Sequence, residues 1–117
     1  MWTNSLKTSA DRYDFVLRVG SQRLSEVFRS EISFGLLGEI IAALSSNYCE
    51  EDRHELTAIL EALSSVNRFR LSLQFLDKLE RSACSQLLEQ LQQAFVRHAE
   101  ESSADTVARL MSIYSVA

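Results

Sequence analysis

The sequence predicts an all-α fold, a compact array of about seven helices arranged as a bundle of antiparallel helix pairs. Three observations lead there. Proline is absent from the 117 residues and glycine occurs only at Gly20, Gly35 and Gly38, a composition that argues against a sandwich, a barrel or a disordered linker. Apolar residues recur at i, i+3, i+4 and i+7 along almost the whole chain, the spacing of a one-sided helix. Hydrophobic residues at 46% and charged residues at 24% are globular values, so burial can offset chain entropy. A chain of this length makes one core of ordinary size, and 9–117 reads as a single domain after a flexible segment, 1–8.

Ser9 is placed to cap a first helix with a Tyr13, Val16 and Leu17 stripe, which Gly20 ends through a left-handed backbone. Ser21 restarts a short second helix carrying Leu24, Val27 and Phe28. Ser33 is the expected cap of a third, in which Leu37, Ile40, Ile41 and Leu44 match the four-point template and Ser45-Ser46-Asn47 closes the run. The acidic Glu50-Glu51-Asp52 suits the positive end of a fourth helix bearing Leu56, Ile59, Leu60 and Leu63, and 64–67 ends it.

The segment from Arg68 to Leu76 alternates polar and apolar residues and taken alone would pass for a strand. It is read as a helix, because a lone strand has no ladder partner and a helix-rich stretch follows without a turn signal. At about 100° per residue, Leu73 and Leu76 fall within about 40° of Phe69, while Arg68, Leu71, Phe75 and Leu79 cluster on the far side. One stripe faces the core; the other needs a second home.

From Asp77 to about His98 a long amphipathic helix carries Leu79, Ala83, Leu87, Leu91, Ala94 and Phe95. The 99–103 stretch is a candidate hinge. Ser103 is then the expected cap of a terminal helix with Val107, Leu110, Met111 and Tyr114 on one side. No block repeats at a fixed period, which disfavours a solenoid.

Net charge is −4, with 12 Lys and Arg against 16 Asp and Glu, a balance that disfavours nucleic acid and anionic membrane as partners. The run Ile40 to Leu44 is far short of the roughly 20 apolar residues of a membrane span. The polar start lacks a secretory signal, which points to the cytosol and to reduced thiols at Cys49 and Cys84.

The chemistry of a metal, phosphate or catalytic site is not legible. Cys49, His54, Cys84 and His98 are the zinc-type ligands available, but Cys84 and His98 stand roughly 21 Å apart on one helix. Cys84 is expected as a buried thiol and the histidines as solvated imidazoles. Neither a phosphate-binding glycine loop nor a nucleophile elbow occurs. The Gly35-Leu36-Leu37-Gly38 stretch is read as lying inside a helix, its glycines serving close packing. The three acids at 50–52 are read as serving the helix dipole rather than acid–base catalysis. No catalytic residue, metal or cofactor is assigned, and the expectation is a non-enzyme. The Arg68, Leu71, Phe75 and Leu79 stripe remains, an arginine beside aliphatic and aromatic anchors, which is the composition of a binding hot spot.

Ile59-Leu60-Glu61-Ala62-Leu63, a short spacer, Arg68-Phe69, Leu73-Gln74-Phe75-Leu76 and a following leucine-rich helix resemble the C-terminal domain shared by RNA polymerase II-associated protein 3 and its relatives, over roughly 9–92. Phe34-Gly35-Leu36-Leu37-Gly38-Glu39, Glu80-Arg81 followed by Cys84, and the closing 110–116 helix look like the branch represented by the coiled-coil domain-containing protein 103 family. That resemblance implies a non-enzymatic adaptor for assembly and attachment of dynein arms in motile cilia and flagella. It would act in the cytoplasm and at the axoneme, self-associate, and partner axonemal dynein or its assembly machinery. It also implies an N-terminal coiled-coil region beyond this chain, to which microtubule binding would mainly belong, with a basic patch of Arg68, Arg70, Lys78 and Arg81 as a local alternative. In relatives serving the heat-shock chaperone machinery, the domain docks a RuvB-like AAA+ ATPase through an arginine and two apolar residues that correspond here to Arg68, Leu71 and Phe75.

Overall fold

The computed structural model describes residues 8–27, 35–66 and 69–114. Among them every regular element is helical: α1 (Ser9–Val27), α2 (Leu36–Ser46), a single 3-10 turn at Glu50–Asp52, α3 (Arg53–Ser64), α4 (Phe69–Gln74), α5 (Lys78–Arg97) and α6 (Glu101–Tyr114). Six helices become seven helical segments because α1 is kinked at Gly20, whose φ of 81° and ψ of 162° belong to a region open essentially to glycine alone. The expected break between a first and a second helix is thus present at the expected residue.

Local signals account for most of the ends, with some corrections. Thr8, not Ser9, caps α1: its hydroxyl accepts from the Asp11 amide at 3.1 Å, and Ser9 is already helical. The start of α2 is Leu36, preceded by Gly35 at φ 80°, so Gly35 serves a left-handed backbone and lies outside the helix. Gly38 does lie inside it, under the Glu80 carboxylate of α5, at a place where a Cβ atom would meet that group. Phe28, Ser33 and the side chain of Val27 lie outside the described residues. Asn47 closes α2 by donating from its amide side chain to the Ala43 carbonyl at 3.0 Å. Ser64 and Ser65 donate to carbonyls of the last turn of α3, at Glu61 and Ala62.

The expected continuity from Arg68 into the long helix is interrupted. After Gln74 the chain makes three-residue turns, Phe75 N–H to Ser72 and Leu76 N–H to Leu73, and α5 begins anew behind Asp77. Asp77 accepts from the Glu80 amide at 2.8 Å while Glu80 accepts from the Asp77 amide at 3.0 Å, a reciprocal capping box. The expected Ser103 cap is also displaced. Helix α6 starts at Glu101, leaving only 98–100 to turn the chain.

That turn is a Schellman closure: Glu100 N–H donates to Phe95 and Ala99 N–H to Val96, with Ala99 at φ 56°. An L-residue bears a steric cost in this region that glycine escapes, so Ala99→Gly is expected to raise stability by about 1 kcal/mol. Urea denaturation checks this; a lower midpoint would mean that the Ala99 methyl contributes packing that outweighs its backbone strain.

One core receives a stripe from every helix. Tyr13, Val16 and Leu24 of α1, the Leu37, Ile40, Ile41 and Leu44 set of α2, and the Leu56, Ile59, Leu60 and Leu63 set of α3 are all buried. Leu87, Leu91 and Phe95 of α5 join Val107, Leu110 and Tyr114 of α6. Helix α1 packs on α2 and α3, α5 packs on α2 and α6, and α3 reaches α6. Short α4 touches α2 and contributes Phe69 and Leu73 to the core, which Leu76 joins from the turn that follows. No helix among the described residues is long and apolar enough to cross a membrane.

Candidate protein-interaction surface

The two stripes of the 68–79 segment part as their spacing requires. Phe69 is buried and meets the Tyr114 ring edge-on at 5.0 Å, and Tyr114 is itself anchored by donating to the Leu60 carbonyl at 2.7 Å. On the other side Leu71 is 46% exposed, Phe75 48% and Leu79 81%. Arg68 lies outside the described residues. Leu79 was also expected in the apolar stripe of the long helix. It is not there: it falls in the first turn of α5, and burial on that helix begins in earnest at Cys84.

Arg81 holds this corner together. Its guanidinium donates to the carbonyls of Leu76 at 3.1 Å, Gln74 at 3.4 Å and Leu73 at 3.5 Å, at the C-terminal end of a six-residue helix and in the turn that follows it. The backbone that presents Leu71 and Phe75 is thereby tied to the first turn of α5. Sequence reading missed both this role and the capping box, although Asp77 and Glu80 stand at the three-residue spacing that marks one. On the other flank, Ser64, Val66, Phe69, Arg70 and Ile113 line a shallow groove of about 470 Å³.

The remaining candidate chemistry is structural. No group of His, Cys, Asp and Glu among the described residues is arranged to hold a metal ion. Cys84 is buried, which pushes its thiol up to about 12, and Cys49 is exposed. The histidines are not simply solvated. His98 Nε2 lies 2.7 Å from Glu50, which also pairs with Arg97; His54 Nε2 lies 2.9 Å from Glu100, which accepts from Arg53 Nε at 2.8 Å. Both carboxyls are held below the usual carboxylate range, Glu50 by hydrogen bonds from His98 and then Arg97, Glu100 by that from Arg53 foremost. Asp52 likewise accepts from the Tyr13 hydroxyl at 2.9 Å and makes no side-chain cap. The acidic run therefore does more than favour a helix dipole: it clasps the start of α3 to α1 and to the α5–α6 turn.

The family model described as the potential Monad-binding region of RPAP3 matches residues 1–81, from α1 through α4 into the first turn of α5. The chain belongs to this RPAP3 C-terminal family. The match takes in Arg68, Leu71, Phe75 and Leu79 and stops before the α5–α6 hairpin is complete. Among individual proteins, the chain is 35% identical over 91 residues to "Dynein axonemal assembly factor 19" of Mus musculus, covering 78% of this chain and 38% of that protein. The Danio rerio protein of the same name is 32% identical over 93 residues, covering 80% and 38%. That of Xenopus tropicalis is 29% identical over 111 residues, covering 92% and 49%. The chain thus spans less than half the length of these relatives. No solved structure matches it.

Proposed function

We propose that this chain is a non-enzymatic protein-interaction domain that serves the assembly or attachment of axonemal dynein arms, working in the cytoplasm and at the axoneme of motile cilia. The observation that carries the proposal is the pair of exposed apolar side chains one helical turn apart, Leu71 and Phe75, followed by Leu79, within the part of the chain that matches the family. An exposed aromatic flanked by aliphatic residues on a braced helix is the kind of anchor that dominates binding energy, and Arg68 precedes it in sequence. The named relatives supply the process: they are dynein axonemal assembly factors.

A second reading makes the same face a co-chaperone module that docks a RuvB-like AAA+ ATPase. It is favoured by the exposure of Leu71 and Phe75, two of the three positions to which the family resemblance assigns docking of that ATPase. The two readings share a surface and differ in its occupant.

Titration calorimetry of the chain against a RuvB-like ATPase complex tests them, with Phe75→Ala as the control once its circular dichroism matches wild type. Binding that weakens roughly tenfold or more in the control supports ATPase docking through this face. Wild-type binding that ignores Phe75→Ala and Leu71→Ala would remove the face from the proposal. Absence of binding would move the search to axonemal dynein chains and to a second copy of this domain.

A further inference from the structure

Exposed cations collect around the apolar corner, whereas of the six other described cations four are ion-paired and two, Arg18 and Arg23 of α1, are not. Arg53 pairs with Glu100, Arg97 with Glu50, Arg109 with Glu61 and Arg12 with Glu39. By contrast, no carboxylate among the described residues stands in ion-pair range of Arg70, Lys78 or Arg81. Arg70 adjoins Leu71 and lines the groove with Val66, Phe69 and Ile113; Lys78 adjoins Leu79; the Arg81 guanidinium sits on the carbonyls around Phe75. The two nearby acids, Asp77 and Glu80, accept from backbone amides in the capping box and keep their charge, so the corner sets three cations against two carboxylates. A surface that is positive here, in a chain of net charge −4, selects its ligand by charge as well as by apolar contact.

Resting on the docking role proposed above and adding the chemistry of the ligand, we infer that the corner of α4 and α5 receives an acidic amphipathic helix. Its apolar side chains would lie on Leu71, Phe75 and Leu79, and its Asp or Glu residues would meet Arg70, Lys78 and Arg81. A helix laid on such a face presents anchors at i, i+3 or i+4 and i+7, with charges on both flanks of that row. The overall negative charge of the chain disfavours a nucleic acid as occupant.

Two synthetic helical peptides test this, carrying identical Leu and Phe anchors on one face and either Glu or Lys at every flanking position. Fluorescence anisotropy against the whole chain should give at least about tenfold tighter binding of the Glu peptide at low salt, narrowing as ionic strength rises. Arg70→Glu with Lys78→Glu should abolish the preference, and Phe75→Ala should weaken the Glu peptide while leaving circular dichroism unchanged. Equal affinities, preference for the Lys peptide, binding of neither, or tighter binding of single-stranded DNA than of the Glu peptide would each overturn the inference. A preference that ignores Phe75→Ala would overturn its location. The two fail separately: ATPase binding with no peptide preference leaves the docking proposal standing and removes the acidic helix, whereas a Phe75-dependent preference without ATPase binding keeps the acidic helix and removes only the ATPase as its source.

Discussion

Phe69→Ala is expected to cost about 3 to 5 kcal/mol and Leu73→Ala about 2 to 5 kcal/mol, whereas Phe75→Ala should cost about 1 kcal/mol or less. These residues lie in one short segment, so the contrast isolates burial from sequence neighbourhood. Phe69 is 5% exposed, and its ring rests on Tyr114, which is in turn hydrogen-bonded to α3. Removing it opens a cavity where α3, α4 and α6 meet, and rigid helices on three sides cannot all collapse into it. Since a domain of this size has a total stability of about 5 to 15 kcal/mol, the loss would leave a large unfolded fraction at physiological temperature. Phe75 leaves only the groups it partly covers. Chemical denaturation of the three variants checks this, and a loss in Phe75→Ala as great as in Phe69→Ala would make both stripes core and leave no docking face.

The legible parts of the fold were those in which one helix buries one face. Leu37, Ile40, Ile41 and Leu44, like Leu56, Ile59, Leu60 and Leu63, fit the helical template and are all buried. The 68–76 segment was harder, since its period of two suits a strand. Its helical form became readable only from the lack of any pairing strand, and its two faces then followed from geometry. The ends of elements were less legible, because several side chains could cap and only one is in register. Thr8 displaced Ser9, and Glu101 begins α6 ahead of Ser103. Ala99 carries no local sign of its left-handed backbone; the Schellman turn imposes it.

Of the candidate surface, the apolar anchors were legible and the brace was not. Arg81 reads as a surface cation by composition, and its three carbonyl partners exist only because α4 stops at Gln74. The break at 75–77 thus places Leu79 on a different helix from Leu71, with Phe75 at the break itself, while keeping all three exposed. A continuous helix would have made them one straight row. A bent row held at its corner by a guanidinium and a capping box is more rigid than a six-residue helix alone, and less ordering entropy is then lost on binding. The clasp of Glu50, Arg97 and His98 is invisible in sequence for a related reason: its members stand 47 and 48 residues apart.

Alkaline solution should unfold this domain cooperatively, with the three tyrosines ionising together. Burial raises all three above their ordinary value of 10: Tyr114 by a wide margin, Tyr13 with help from its hydrogen bond to Asp52, and Tyr48 with a contribution from Glu50. The Cys84 thiol is raised by burial from 9 to about 12. In each case the unfolded chain releases its proton at a pH where the folded chain still holds it. The unfolded state therefore binds fewer protons, and stability that is complete below pH 9 declines as pH rises through 9 for Cys84 and through 10 for the tyrosines. Tyrosinate absorbance and circular dichroism, followed together, should change in one steep transition above pH 10. A gradual rise of tyrosinate centred at pH 10 with helicity intact would contradict it. Tyr114→Phe separates the titration from simple destabilisation. It should lower stability at neutral pH by about 1 kcal/mol through loss of the bond to Leu60, yet flatten the decline of stability with alkaline pH, because one buried hydroxyl no longer has to ionise.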